Sequence, residues 1–202
     1  ELLRRPGKLY VLASHFHPDH FNKEVLQWRE QRPDIIYIFS KDILRHRRAQ
    51  KEDAVWLKKG EEYKDETLSV RAFGSTDVGV SFLLQASGKK IFHAGDLNNW
   101  HWMDESTEAE WKGAEKNFLH ELDDLYAYTP EVDVAMFPVD PRLGKEYMRG
   151  AGQFVTKIKT HIFVPMHFTP EYAKANAFRD FAEAHGVRFV SLTHRGQKIE
   201  IE

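Results

Sequence analysis

Two rhythms of apolar positions run along this chain. Runs of four to seven apolar residues closed by turn residues alternate with stretches in which apolar positions recur every three or four residues, so short strands alternate with helices. Residues 8–14 and 35–39 read as strands, with a helix over 22–31, capped by Asn22, between them. Residues 42–48 follow as a short basic helix, and 51–65 as a polar, turn-rich surface stretch. The pattern then changes. Residues 67–73, 80–85 and 90–93 are three closely spaced strands joined by glycine-containing turns, which predicts an antiparallel meander forming a second sheet. A helix over 108–126 ends before Pro130. Strands at 132–137, 162–166 and 188–191 alternate with helices near 153–158 and 170–185. The series predicts an α/β protein with two packed sheets and helices outside them.

With 202 residues the chain fits a single domain spanning 1–202, and 42% hydrophobic with 30% charged residues describes a folded protein. Lysine plus arginine number 29 against 31 aspartate plus glutamate, a near-balance that argues against a broad nucleic-acid surface and leaves only a local basic patch such as Arg45, Arg47 and Arg48. The absence of cysteine excludes disulfides and thiolate metal sites, so a transition metal here has only His, Asp and Glu to hold it; this fits a cytoplasmic protein. No signal-peptide pattern and no membrane-length apolar run is present, so no membrane association is expected. The opening Glu1-Leu2-Leu3-Arg4-Arg5-Pro6-Gly7 has no initiator Met and reads as a helix end running into a turn, an expectation of more chain upstream.

The chemistry concentrates in Ser14-His15-Phe16-His17-Pro18-Asp19-His20-Phe21, directly after the first strand. Extended backbone places His15 and His17 on one face, and a turn at Pro18 swings Asp19 and His20 back toward them. Imidazole and carboxylate together suit zinc, manganese or iron. The competing reading, a chance cluster of surface histidines, does not sit well with three histidines and an aspartate in six residues. Asp96 and His167 also follow predicted strands, and with the first cluster they supply enough ligands for one or two divalent ions, Asp96 being placed to bridge.

The His-x-His-x-Asp-His arrangement of His15, His17, Asp19 and His20, continued by Gly95-Asp96 and His167, resembles the metallo-β-lactamase-fold hydrolase superfamily over most of the chain. In order of motifs it is most similar to the branch containing ascorbate-phosphate lactonase and phospholipase D-like enzymes. The resemblance implies a four-layer αββα sandwich, lacking its first strands at the amino terminus, with His15 and His17 on one ion, Asp19, His20 and His167 on the other, and Asp96 bridging. Where that family often has Gly-His-Thr, this chain has Gly74-Ser75-Thr76, so a third imidazole is missing from the first ion. If this segment is extended, Asp77 lies on the face of Ser75 and can complete the shell; the alternative is a turn cap.

Around this centre, Trp100, His101 and Trp102 are expected to form one wall of a substrate pocket, with Ser75 at its edge, the alternative being that both indoles are simply packed. Arg142 follows a strand and is a candidate for a substrate carboxylate or phosphate, against a plain salt bridge to Asp140. His194 is a candidate for a substrate oxyanion, and His93 for orienting a ligand, whereas His46, His120, His161 and His185 read as surface residues. The leading function is a metal-dependent hydrolase in which Asp19 is both ligand and proton acceptor, acting on a small lactone, ester or phosphorylated substrate. A phosphodiesterase or nuclease of the same fold, and a non-catalytic metal-binding scaffold, are the alternatives.

Overall fold

The structure, a computed structural model, describes residues 2–200. The first strand, β1 (Tyr10–Ala13), leads through a 3-10 helix (Lys23–Glu30) into β2 (Ile36–Ser40), α1 (Lys41–Arg45) and β3 (Val55–Leu57), and the three strands pair in parallel in the order β1-β2-β3. Leu2–Arg4 forms one turn of 3-10 helix before Pro6-Gly7, whereas Glu1 lies outside the described residues.

The second sheet has seven strands. β4 (Glu62–Lys64), β5 (Ser69–Phe73), β6 (Ser81–Ala86) and β7 (Lys89–His93) form an antiparallel meander. After α2 (Glu108–Tyr128), the sheet continues in parallel through β8 (Glu131–Pro138), β9 (Lys159–Met166) and β10 (Arg188–Phe189), with α3 (Arg149–Lys157), α4 (Tyr172–Asn176) and α5 (Arg179–Ala184) as crossovers. Thr107 and Glu110 close a capping box on α2, and Pro130 ends it.

Four layers result, because the strands bury both faces. Ile38, Leu57, Val70, Ala72 and Phe82 pack between the sheets. Phe92, Phe137 and Phe163 face outward onto Phe118 and Leu122 of α2 and Phe154 of α3. Tyr37, Phe39 and Ile43 form a smaller core on the other outer face. Truncating a fully buried side chain such as Phe137 to alanine costs about 3–5 kcal/mol.

Three expectations are corrected. The 22–31 helix is 3-10 rather than α, although Asn22 does cap it, accepting the Glu24 N–H at 2.9 Å. The 51–65 stretch is not merely surface, since β3 and β4 lie within it and extend both sheets. The single helix over 170–185 is two, α4 and α5.

The carboxyl ends of β1, β7, β8 and β9 come together at one edge of the sandwich, and the loops leaving them carry Ser14 to His20, Gly95-Asp96, Asp140 and His167. Two glycines allow the sheets to meet there. A Cβ on Gly79 (φ +76°) would stand 2.1 Å from the Ser14 carbonyl oxygen, and one on Gly95 (φ +55°) 2.9 Å from the Ser14 Cβ.

Candidate metal centre

The loop after β1 folds as a tight turn, with the His20 and Phe21 N–H groups donating to the His17 carbonyl at 3.0 and 2.8 Å. Phe21 is buried beneath it, and the Phe16 N–H donates to Asp42 Oδ2 at 3.0 Å, tying the turn to α1. The Ser14 hydroxyl lies 3.1 Å from His15 Nδ1 and 3.4 Å from His20 Nδ1, so both rings present Nε2 toward Asp96.

Asp96 stands at the middle of the cluster. It is buried, with Oδ2 3.3 Å from His15 Nε2, and Oδ1 3.1 Å from His20 Nε2 and 3.4 Å from His167 Nε2. This one carboxylate forms the first group of donors with His15 and His17 and points its other oxygen at the second, Asp19, His20 and His167; within each group the donor atoms lie within 4.8 Å of one another. Burial raises the Asp96 pKa, but His15 and His20 outweigh it and hold the carboxyl well below its ordinary range. His15 Nε2 and Asp96 Oδ1 are both buried, and although imidazole nitrogens lie 3.1–3.4 Å from the carboxylate as ion-pair neighbours, neither of these two atoms makes a hydrogen bond among the described residues. Orphaned polar atoms are costly in an interior, and here each is a competent metal donor. The donor set therefore fits one or two divalent cations.

His167 is held from behind. Its Nδ1 bonds Asp140 Oδ2 at 3.0 Å, which leaves the Nε2 lone pair toward the cluster, the arrangement by which a carboxylate orients a metal-binding imidazole. Burial lowers the His167 pKa, but Asp140 and Asp96 outweigh it and raise it. Asp140 is fully buried; its burial is outweighed by His167 and Arg142, which bring it down to about 2. His167 (φ +58°) and Thr169 (φ +52°) both occupy the left-handed region, so about 1–3 kcal/mol of strain per residue is concentrated beside the donor cluster.

Two cavities open beside the donors. One of about 410 Å³ is lined by Asp19, His20, His93, Arg142, Met166, His167 and Thr169, and the other, of about 240 Å³, by Thr76, Asp77, Asp96, Trp100, Trp102, Arg142 and His167. Asp19 reaches His20 at 3.5 Å and His167 at 3.9 Å and is 66% exposed, open to a reactant as well as to an ion.

Trp100 and Trp102 line the smaller cavity, and Arg142 lines both while also forming the ion pair with Asp140 at 2.6 Å, so neither reading of that arginine displaces the other. Asp77 stands at the margin. It is exposed, its Oδ2 3.7 Å from His17 Nδ1 and outside both donor groups; its carboxylate accepts no hydrogen bond among the described residues, and its own N–H donates to Ser75 Oγ at 3.4 Å.

Three expected substrate contacts are not brought to the cavities. Ser75 lines neither, its hydroxyl turned to the Asp77 N–H. His101 is buried, accepting the Met103 N–H at Nδ1 and bonding the Glu146 carbonyl through Nε2, both at 3.1 Å. His194 is exposed beside the Thr193 hydroxyl, 2.9 Å away. Four residues that sequence reasoning missed also matter here: Asp140 orients His167, Thr76 pins the Asp96 loop by donating to the Asn98 carbonyl at 2.5 Å, and Met166 and Thr169 line the larger cavity. An aspartate two residues past the end of an apolar parallel strand was the available signal for Asp140.

The fold and the order of these residues place the chain in a known group: it matches the beta-lactamase superfamily domain over residues 4–168 and belongs to that superfamily. No curated protein matches it in sequence. Among solved structures, Igni18, a metallo hydrolase from the hyperthermophilic archaeon Ignicoccus hospitalis, is similar with a TM-score of 0.61 at 16% identity, over 91% of this chain and 76% of that one. Zn(2+)-bound PqqB from Methylobacterium extorquens is similar with a TM-score of 0.53 at 16% identity, over 90% and 70%. CmlA, a diiron beta-hydroxylase from Streptomyces venezuelae, is similar with a TM-score of 0.59 at 13% identity, over 93% of this chain and 44% of that protein. At these identities the likeness is one of fold, the αββα metallo-beta-lactamase sandwich, whose members here include both zinc and diiron proteins.

Proposed function

We propose that this protein is a metal-dependent hydrolase acting on a small lactone, ester or phosphorylated substrate, in the manner of the ascorbate-phosphate lactonase-like branch. Zinc is the favoured ion, with manganese or iron as alternatives, and the working compartment is the cytoplasm. The observation that carries the reading is Asp96: a buried carboxylate with one oxygen toward each of two donor groups and an unpartnered atom beside it. His15, His17 and Asp96 would hold one ion and Asp19, His20 and His167 the other, with Asp96 shared. When bound, such ions acidify water and polarise the scissile carbonyl or phosphoryl group.

The chain's own groups do the rest. The exposed carboxylate of Asp19 accepts the proton of the attacking water and returns it to the leaving oxygen. Asp140 keeps His167 in the tautomer that presents Nε2. The two cavities receive the two sides of the scissile bond. Arg45, Arg47 and Arg48 line neither, which favours a small substrate over nucleic acid. No helix among the described residues is long and apolar enough to cross a membrane.

Elemental analysis together with hydrolysis of a lactone, an aryl ester and an aryl phosphodiester by the zinc-loaded protein tests this reading. One to two equivalents of metal are expected, with turnover that falls at least 100-fold in Asp19→Asn, which removes the proton acceptor and also weakens the ion that Asp19 would help to hold. Full metal occupancy with no turnover of any substrate would instead identify a binding scaffold, and absence of metal binding would overturn the reading altogether.

A further inference from the structure

The smaller cavity has a chemistry of its own beyond the donor groups. Trp100 and Trp102 stand side by side on it, their planes 16° from parallel and their centroids 6.4 Å apart, and Trp100 meets His167 edge-on at 5.5 Å. The Trp100 indole is anchored, and the chain that carries Trp102 is held in place. Trp100 Nε1 donates to the Asp96 carbonyl at 2.8 Å, and the loop between the two is clamped from below by His101 on the Glu146 carbonyl. Asp104 fixes the loop's far end: the Lys145 N–H donates to its Oδ2 at 3.3 Å, and a Cβ on Gly144 would stand 2.1 Å from that same oxygen. The clamp joins the aromatic loop to Pro141–Glu146, the 3-10 segment that carries Arg142.

Arg142 is presented equally rigidly. Its Nε bonds Asp140 Oδ1 and Oδ2 at 3.0 Å and its Nη2 bonds Oδ2 at 2.6 Å, so the inner edge of the guanidinium is fixed by a buried carboxylate. Nη1 bonds nothing among the described residues, and the side chain, 54% exposed, lines both cavities. A guanidinium held on one edge and open on another is a prepared receptor for an oxyanion, and the near-parallel indoles beside it, that of Trp100 anchored, offer a flat ring a partner. Asp77 on the same lining disfavours a polyanion.

We propose that this cavity recognises a planar ring bearing a single oxyanion, carboxylate or phosphoryl, on Arg142, with the ring against Trp100 and Trp102. The proposal rests on the hydrolase reading for its purpose, since it specifies which substrates reach the donor groups. It is tested by binding rather than turnover. Calorimetric titration of the zinc-loaded protein with phenylphosphonate, benzoate, methylphosphonate and benzyl alcohol separates ring from charge, and carboxylate from phosphoryl. At least one of the two aryl oxyanions is expected to bind ten times more tightly than either methylphosphonate or benzyl alcohol, and the tighter of the pair names the oxyanion.

Trp102→Leu is expected to remove most of that advantage while leaving methylphosphonate unchanged. Arg142→Lys, which keeps the charge and loses the fork, is expected to weaken the aryl oxyanion about tenfold and leave benzyl alcohol unchanged. Methylphosphonate binding as tightly as both phenylphosphonate and benzoate would show that the ring contributes nothing and would overturn the proposal; this comparison needs no variant. Selective aryl-oxyanion binding without turnover of any substrate would sink the hydrolase reading and keep this one, whereas turnover without selectivity would do the reverse.

Discussion

Asp140 lies behind His167, yet the geometry of the centre depends on it. Asp140→Asn keeps the shape and loses the charge that holds both the His167 ring and the Arg142 fork, and metal affinity is expected to fall 10- to 100-fold, measured by competition with a chromophoric chelator. His93 gives a second prediction. Burial and the neighbouring His20 push its pKa down to about 4 from an ordinary 6.5. The folded chain therefore holds it neutral where the unfolded chain protonates it, so the stability it contributes is complete above about pH 6.5 and is lost as pH falls toward 4, by at most about 3 kcal/mol. In metal-free protein, His93→Gln is expected to lose less stability than wild type between pH 7 and 4.5 in urea titrations; an equal loss would place the acid sensitivity elsewhere. His15, His17, Asp19, His20, Asp96 and His167, which the structure brings together, stood out in the sequence because donor residues of these types at this spacing are visible without the fold. It could not tell that His101 turns inward, because only the tertiary position of the Glu146 carbonyl decides which way that ring points.

At the scale of elements, the long strands and α2 were legible because their periodicity is strong, while β3 and β4 were not. Each is three residues long, set among charges, and becomes a strand only because β2 or β5 offers a free edge. The 170–185 helix broke at Ala177-Phe178, where Phe178 turns into the core, a tertiary demand that helical periodicity does not record. The meeting of the two sheets can be tested through glycine. Gly79 and Gly88 share φ +76°, but a Cβ on Gly88 meets nothing within 4 Å, while one on Gly79 meets the Ser14 carbonyl. Gly88→Ala is expected to cost about 1–2 kcal/mol from backbone strain alone. Gly79→Ala is expected to cost clearly more and to lower metal affinity as well, both read by denaturant titration and metal competition. Equal costs would mean that the loop carrying His15 moves aside freely.

At the scale of the molecule, the donors come from both sheets and from positions near both ends of the matched domain. Removing metal should therefore act on the whole fold. With free metal at 100 times its Kd, binding adds about 2.7 kcal/mol, which for a chain of this size is roughly 5–11 °C in melting temperature, checked by calorimetry with and without chelator. A bound ion would also be a knot tied late. His20 and His167, whose rings lie 5.5 Å apart, meet only after the three-stranded and seven-stranded sheets have stacked, so the tie cannot hasten that meeting and can only delay its undoing. The protein's lifetime against proteolysis would then be set by how much metal surrounds it, and a chain starved of metal would fold as readily as a replete one and vanish sooner.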